Sequence, residues 1–226
     1  MWVKICANTN LEDAVLAAEL GADALGFVFA RSKRQVSAQQ VAAITRALPD
    51  DVERIGVFDS DDPQEIAVVV SEAGLSAAQL HRGYDEALIA RVADLLGGRA
   101  EIIPVLHWQL DLDHSRTAER LSAELEHIAD AGIVRRVLVD SKLNGASGGT
   151  GVSFDWTAAR RVFSQAPKGV QLILAGGLKP DNVAEAIREL NPVGVDVASG
   201  VEAAAGKKSP DLLAGFMRGA RDGEKR

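Results

Sequence analysis

A chain of 226 residues that is 47% hydrophobic but only 4% aromatic must build its core from Ala, Val, Leu and Ile, the composition of buried parallel strands wrapped by helices. A net charge of −7 with no basic block inside the fold argues against nucleic acid, whose binding rests on Lys and Arg contacts to phosphate. The single cysteine excludes an internal disulfide, no apolar run approaches the ~20 residues of a membrane span, and the first strand is too short and poorly flanked for a signal peptide. A soluble cytoplasmic protein is expected.

The chain alternates apolar strands with amphipathic helices. A first strand covers residues 2–6, and Leu11, Ala14, Val15 and Ala18 then share one helical face that ends at Gly21. A second strand covers 24–29, followed by a polar loop to Gln35 and a helix capped by Ser37 that runs to Leu48. The third strand, 54–58, runs into the acidic loop 59–62, where Pro63 opens a helix. The fourth strand, 77–80, ends at His81, and a helix covers about 85–96. The fifth strand, 101–106, precedes a helix over 117–130, and the sixth, 136–139, stops at Asp140. A glycine-laden segment with Gly145, Gly148, Gly149 and Gly151 follows, and the next helix spans 155–165. The seventh strand, 170–175, runs into Gly176 and Gly177, with a helix from Pro180 to Leu190. The eighth, 193–197, runs into Ala198, Ser199 and Gly200, and a last helix begins at Ser209-Pro210 before a tail that frays over 222–226. Eight strand–helix copies without a linker predict one domain, a closed (β/α)8 TIM barrel spanning 1–226. An open doubly wound sheet would need a glycine fingerprint after the first strand, and Cys6-Ala7-Asn8 is not one.

In such a barrel the C-terminal ends of the strands share the catalytic face. That rule gathers Cys6, Asn8, Arg31, Arg34, Asp59, His81, His107, Asp140, Gly176, Gly177, Ser199 and Gly200 from distant parts of the chain. The paired small-residue loops after strands seven and eight point to phosphate. Their backbone N–H groups are uncovered, and a short helix after strand eight would add its dipole. Cys6 is open to two readings, a small buried hydrophobe or an acid–base group. The second needs a nearby positive charge, for which Lys4 is a source. Asp140 is either a turn cap or the carboxylate partner of that thiol. Arg34 is either solvated or a fork for a substrate carboxylate. No histidine has metal-ligand spacing, so no metal is expected, and Asp111, Asp113 and His114 read as a polar loop and helix cap.

Several segments together resemble phosphoribosylanthranilate isomerase of tryptophan biosynthesis, in order and over nearly the whole chain. They are Lys4-Ile5-Cys6, Ala22 through Phe29, Ser32-Lys33-Arg34, Gln79-Leu80-His81, Asp140-Ser141, Gly148-Gly149-Thr150-Gly151 with Phe154-Asp155-Trp156, Leu174 through Leu178, and Asp196 through Glu202. The resemblance implies an Amadori rearrangement of a phosphorylated small molecule without metal or cofactor. It implies Cys6 as general base and Asp140 as general acid. Arg34 would sit on the anthranilate carboxylate, Gly176, Gly177, Ser199 and Gly200 on the phosphate, and Asp196 near the sugar hydroxyls. The chain departs from the family pattern at Ala7 and Arg82, where glycine is usual, and at Gln35, where an aromatic is usual. The other readings are a related phosphosugar isomerase or epimerase, a secondary-metabolism paralogue, or a non-catalytic paralogue that binds a phosphorylated metabolite. Assembly as monomer or homodimer stays open.

Overall fold

Parallel pairing of β1 (Trp2–Ile5) with both β2 (Ala24–Val28) and β8 (Gly194–Val197) closes the sheet on itself. The structure is a computed structural model and describes residues 1–110, 113–142 and 156–225. Between those strands the barrel runs in chain order through β3 (Glu53–Phe58), β4 (Ala77–Leu80), β5 (Glu101–Gln109), β6 (Arg136–Lys142) and β7 (Gln171–Leu174). The helices α1 (Leu11–Glu19), α2 (Ala38–Thr45), α3 (Pro63–Glu72), α4 (Glu86–Leu96), α5 (His114–Ala131), α6 (Trp156–Ser164), α7 (Val183–Leu190) and α8 (Pro210–Glu224) alternate with them. Among the described residues no helix is long and apolar enough to cross a membrane.

Local chemistry sets the helix ends. Asn10, Asp62, Asp85, Asp113 and Ser209 each accept a backbone N–H at a helix start, and Ser37 forms a full capping box with Gln40. Asp113 is thus the expected helix cap, while Asp111 lies outside the described residues. So do the glycine segment 145–151 and Asp155. Two strands run further than the sequence suggests. β5 and β6 stay paired through His107–Asp140, Trp108–Ser141 and Gln109–Lys142. Asp140 therefore stands inside a strand, held by its neighbour's ladder. The expected fray from Asp222 does not begin there: α8 continues to Glu224, whose carboxylate meets the Met1 ammonium at 2.6 Å.

Side-chain alternation divides the barrel interior into layers. At the N-terminal end Arg136 lies 5.0 Å over the Trp2 ring and bonds both Glu53 and Glu101. Above it an apolar layer holds Ala24, Ile55, Ala77, Ile103, Val105, Leu138 and Ile173. The third layer is polar: Lys4, Gln79 and Asp196. A second, larger apolar shell packs the helices against the outside of the sheet.

The turn after β1 decides where Cys6 sits. Ala7 adopts φ 63°, in the left-handed region that opposes a Cβ. Asn8 holds the turn there: its backbone N–H donates to the Gly26 carbonyl at 2.9 Å and its side-chain amide to the Ile5 carbonyl at 2.8 Å. The family's usual glycine at this position thus has a conformational reason, and this chain carries the strain of a methyl instead. Ala7→Gly is expected to stabilise the fold by about 0.5–1 kcal/mol, the relieved strain less the added freedom of the unfolded chain. Urea denaturation reads it, and an unchanged or lowered midpoint would show that the turn stores no such strain.

Candidate active site

A cavity of about 770 Å3 opens over the C-terminal ends of the strands. The eight residues to which the resemblance gives a role all line it: Cys6, Arg34, Asp140, Gly176, Gly177, Asp196, Ser199 and Gly200. Arg31, Asp59, His81 and His107 line it as well. Asn8 does not; it is fully buried and braces the turn that carries Cys6.

Cys6 stands two residues beyond Lys4, on the same face of β1. A methyl on Gly26 of β2 would come within 2.7 Å of the Cys6 Sγ and 2.9 Å of the Lys4 Cε. The neighbouring strand must therefore be bare at that point for sulfur and ammonium stem to share the space. The Lys4 ammonium has no solvent contact. It donates to the Gln79 Oε1 at 2.6 Å and pairs with the Asp196 Oδ2 at 3.1 Å. Burial alone would lower its pKa, but attraction to Asp196 and to Cys6 outweighs burial and raises it. The Cys6 thiol moves the other way from what a base needs: burial pushes it up, against the pull of the Lys4 and Lys208 ammonium groups. At neutral pH the thiolate is accordingly a minority form. Asp196 keeps its other oxygen, Oδ1, without a hydrogen-bond partner among the described residues. That oxygen is a buried acceptor on a residue that lines the cavity, and such acceptors call for a donor.

Asp140 lies against the loop after β7. A methyl on Gly176 would come within 2.8 Å of the Asp140 Oδ1 and would overlap the Ser141 hydroxyl. Gly176 and Gly177 both have positive φ, 89° and 65°, a run that side chains oppose. Gly200 is packed so tightly on the Leu178 carbonyl that a side chain there would overlap it. The two small-residue loops thus touch, as the sequence suggested. The helix expected after β8 is a three-residue 3₁₀ turn, Ser199–Val201. So short a turn has little aligned dipole.

Arg34 lines the cavity but is not a bare fork. One edge of its guanidinium is already taken: Nε donates to Glu202 at 2.9 and 3.0 Å, and Nη2 donates to Glu202 at 2.7 Å. Glu202 begins a small antiparallel hairpin, β9 (Glu202–Ala204) with β10 (Lys207–Lys208). Sequence reasoning missed this hairpin because its strands are two and three residues long and carry no apolar alternation. Of the two residues that matter in it, Glu202 stood at the end of a family-like segment, and nothing in the sequence singled out Lys208. Lys208 is buried; its ammonium donates to the Cys6 carbonyl at 2.5 Å and to Glu202 at 3.3 Å. Gln35 donates to the Phe29 carbonyl at 3.1 Å, and Arg82 is an exposed rim cation facing Asp61.

A closed eight-stranded parallel barrel that gathers a thiol, carboxylates and bare glycine loops over its C-terminal rim is the architecture of a (β/α)8 barrel enzyme. A family model, N-(5'-phosphoribosyl)anthranilate isomerase, matches residues 3–218. The isomerase of Rubrobacter xylanophilus is 40% identical over 220 residues, 97% of this chain and 98% of that one. The crystal structure of the Thermotoga maritima enzyme superposes with a TM-score of 0.82 at 36% identity, with 98% of each chain covered. A phosphoribosylanthranilate isomerase solved with reduced 1-(o-carboxyphenylamino)-1-deoxyribulose 5-phosphate superposes with a TM-score of 0.79 at 35% identity, again over 98% of each chain. The chain belongs to the N-(5'-phosphoribosyl)anthranilate isomerase family.

Because the sequence contains one cysteine, the rate of alkylation by iodoacetamide reports Cys6 alone. Lys4, Lys208 and Asp196 are the charged groups that bear on it most, and burial outweighs the two cations. The rate is expected to rise with pH and to inflect above the ordinary thiol value of about 8.5. An inflection at or below that value would contradict a burial-dominated environment.

Proposed function

We propose that the chain converts N-(5-phosphoribosyl)anthranilate into 1-(2-carboxyphenylamino)-1-deoxyribulose 5-phosphate, the isomerisation step of tryptophan biosynthesis, by acid–base catalysis in the cytoplasm. The observation that carries this reading is the convergence of Cys6 and Asp140, 134 positions apart in sequence (140 − 6), on one cavity beside the two glycine loops. Asp140, protonated, gives its proton to the furanose ring oxygen. The bond from C1 to that oxygen breaks as the anthranilate nitrogen lone pair forms the C1 iminium. The Cys6 thiolate then removes the C2 proton, and the electron pair passes to the C1–C2 bond as the iminium becomes an enolamine. Tautomerisation of the enol gives the ketone. One proton leaves the acid and one reaches the base, so the rearrangement is redox-neutral overall and calls for no external oxidant.

The two groups must start in opposite protonation states. An ordinary carboxylic acid loses its proton at lower pH than an ordinary thiol, so with such values the competent form would be scarce. A scarce competent form still supports turnover when the substrate is held in place, because orientation supplies much of the rate. The phosphate seat at Gly176, Gly177, Ser199 and Gly200 and the carboxylate seat at Arg34 would hold the substrate at both ends. The partnerless Asp196 oxygen would accept from a sugar hydroxyl. All these residues come from one chain, so none of them has to be supplied by a second copy.

Loss of either group is expected to cost far more than loss of a contact. Cys6→Ala and Asp140→Asn should each lower turnover of the anthranilate riboside by at least about 100-fold, with the thermal unfolding curve close to wild type. The decay of substrate fluorescence measures it. Turnover within a few-fold of wild type in either variant would remove the assigned role, and no turnover in the wild-type protein would favour a non-catalytic binder of a phosphorylated metabolite.

A further inference from the structure

Beside the cavity stand three buried or half-buried charges that neither give nor take a proton in the reaction: Arg34, which lines it, and behind Arg34 the pair Glu202 and Lys208. Glu202 is almost enclosed, with a side chain 4% exposed, and lies between two cations. On one side it takes both the Nε and the Nη2 edge of Arg34. On the other it meets the Lys208 ammonium. Burial works against the Glu202 carboxylate, yet Arg34 and Lys208 together hold its pKa below the usual carboxylate range. Of the three guanidinium nitrogens, Nη1 alone has no hydrogen bond to the described residues.

The hairpin that carries this carboxylate is itself tied down. Thr9 donates to the Gly206 carbonyl, the Lys208 backbone N–H donates to Asp13 at 2.8 Å, and Gly206 N–H donates back to Glu202 at 3.3 Å. A side chain fixed at this many points holds its partner to a narrow set of rotamers. An Arg–Glu pair by itself is neutral and would attract an anion poorly. Burial draws the Lys208 pKa down, against the attraction of Glu202; with Lys208 protonated, two cations around one carboxylate leave a net positive charge beside the cavity. The same ammonium binds the Cys6 carbonyl, which ties the carboxylate seat to the turn that bears the thiol.

We propose that Glu202 is a positioning residue for substrate recognition: it clamps one side of Arg34 so that Nη1 is left for the substrate carboxylate, while Lys208 keeps the seat cationic. This inference rests on the isomerase reading above. It predicts that Glu202 acts on affinity for the carboxyphenyl end, through Arg34, and not on the phosphate end.

The test uses the full chain and four proteins: wild type, Glu202→Gln, Arg34→Met and the double variant. Glu202→Gln keeps the shape of the side chain but removes its charge. It is expected to raise KM for N-(5-phosphoribosyl)anthranilate about tenfold, the scale of one charge-assisted hydrogen bond, and to weaken binding of the reduced product analogue by a similar factor. Most of the loss in kcat/KM should lie in KM. The inhibition constant of inorganic phosphate, which probes the other end of the cavity, should move by less than about twofold. The double variant should be little worse than Arg34→Met alone, as expected when one residue works through the other. An unchanged KM in Glu202→Gln, additive losses in the double variant, or a phosphate constant that rises in step with KM would each overturn the proposal. If Glu202→Gln does not fold, Glu202→Asp, with the charge kept on a shorter arm, carries the same comparison. Wild-type protein that fails to turn over the riboside would overturn the isomerase reading and this inference with it. Wild-type turnover with an unmoved Glu202→Gln variant would overturn the inference alone.

Discussion

A charged lysine ammonium sealed from water survives only if partners surround it. Lys4 meets that condition in the middle of the barrel, between Gln79 and Asp196 and beneath the Cys6 sulfur. Much of the site follows from it. β1 and β8 are in register so that Lys4 stands directly beside Asp196. β2 must carry glycine at position 26 to leave room for the ammonium stem and the sulfur. The polar layer also ends the apolar filling of the barrel, so that the cavity above it starts on hydrogen-bonding groups instead of methyls.

Above that layer two opposing tendencies meet at the thiol. Enclosure disfavours the thiolate, while the ammonium groups of Lys4 and Lys208 favour it, and enclosure prevails. A thiolate formed under such conditions is a stronger base than an ordinary exposed one, which suits removal of a carbon-bound proton. The cost is a small population of the reactive form. Under the proposed function, a rigid cradle for the substrate would offset that cost. The rigidity is visible in the contact of Gly200 with the Leu178 carbonyl and of Gly176 with Ser141 and Asp140, and in the clamp of Glu202 on Arg34.

The sequence made the barrel legible because its signals are local and repeat. Eight apolar runs, polar caps such as Ser37 and Asp62, and left-handed glycines at helix ends such as Gly21 each report on a few neighbouring residues. Cys6, Asp140 and the glycine loops were legible too, because the barrel rule sends strand ends to one face. What escaped was set by contacts across the chain. The Arg34–Glu202 pair spans 168 positions and the bond from Lys208 to Cys6 spans 202, and nothing in the residues near either end announces a partner. The left-handed turn at Ala7 lay between these cases. The missing glycine was visible, but whether the turn needs positive φ depends on the pull of Asn8 toward Gly26.

The central claim is spatial: a thiol and a carboxyl group face one sugar whose two ends are held apart by an anion seat and a cationic wall. A crystal structure of this chain with reduced 1-(o-carboxyphenylamino)-1-deoxyribulose 5-phosphate tests it most directly. The account predicts the phosphate on the backbone N–H groups of the loops at Gly177 and Ser199-Gly200, the carboxyphenyl group at Arg34, and the sugar chain between Cys6 and Asp140. A phosphate bound elsewhere, or a sugar chain lying away from either of those two side chains, would contradict it.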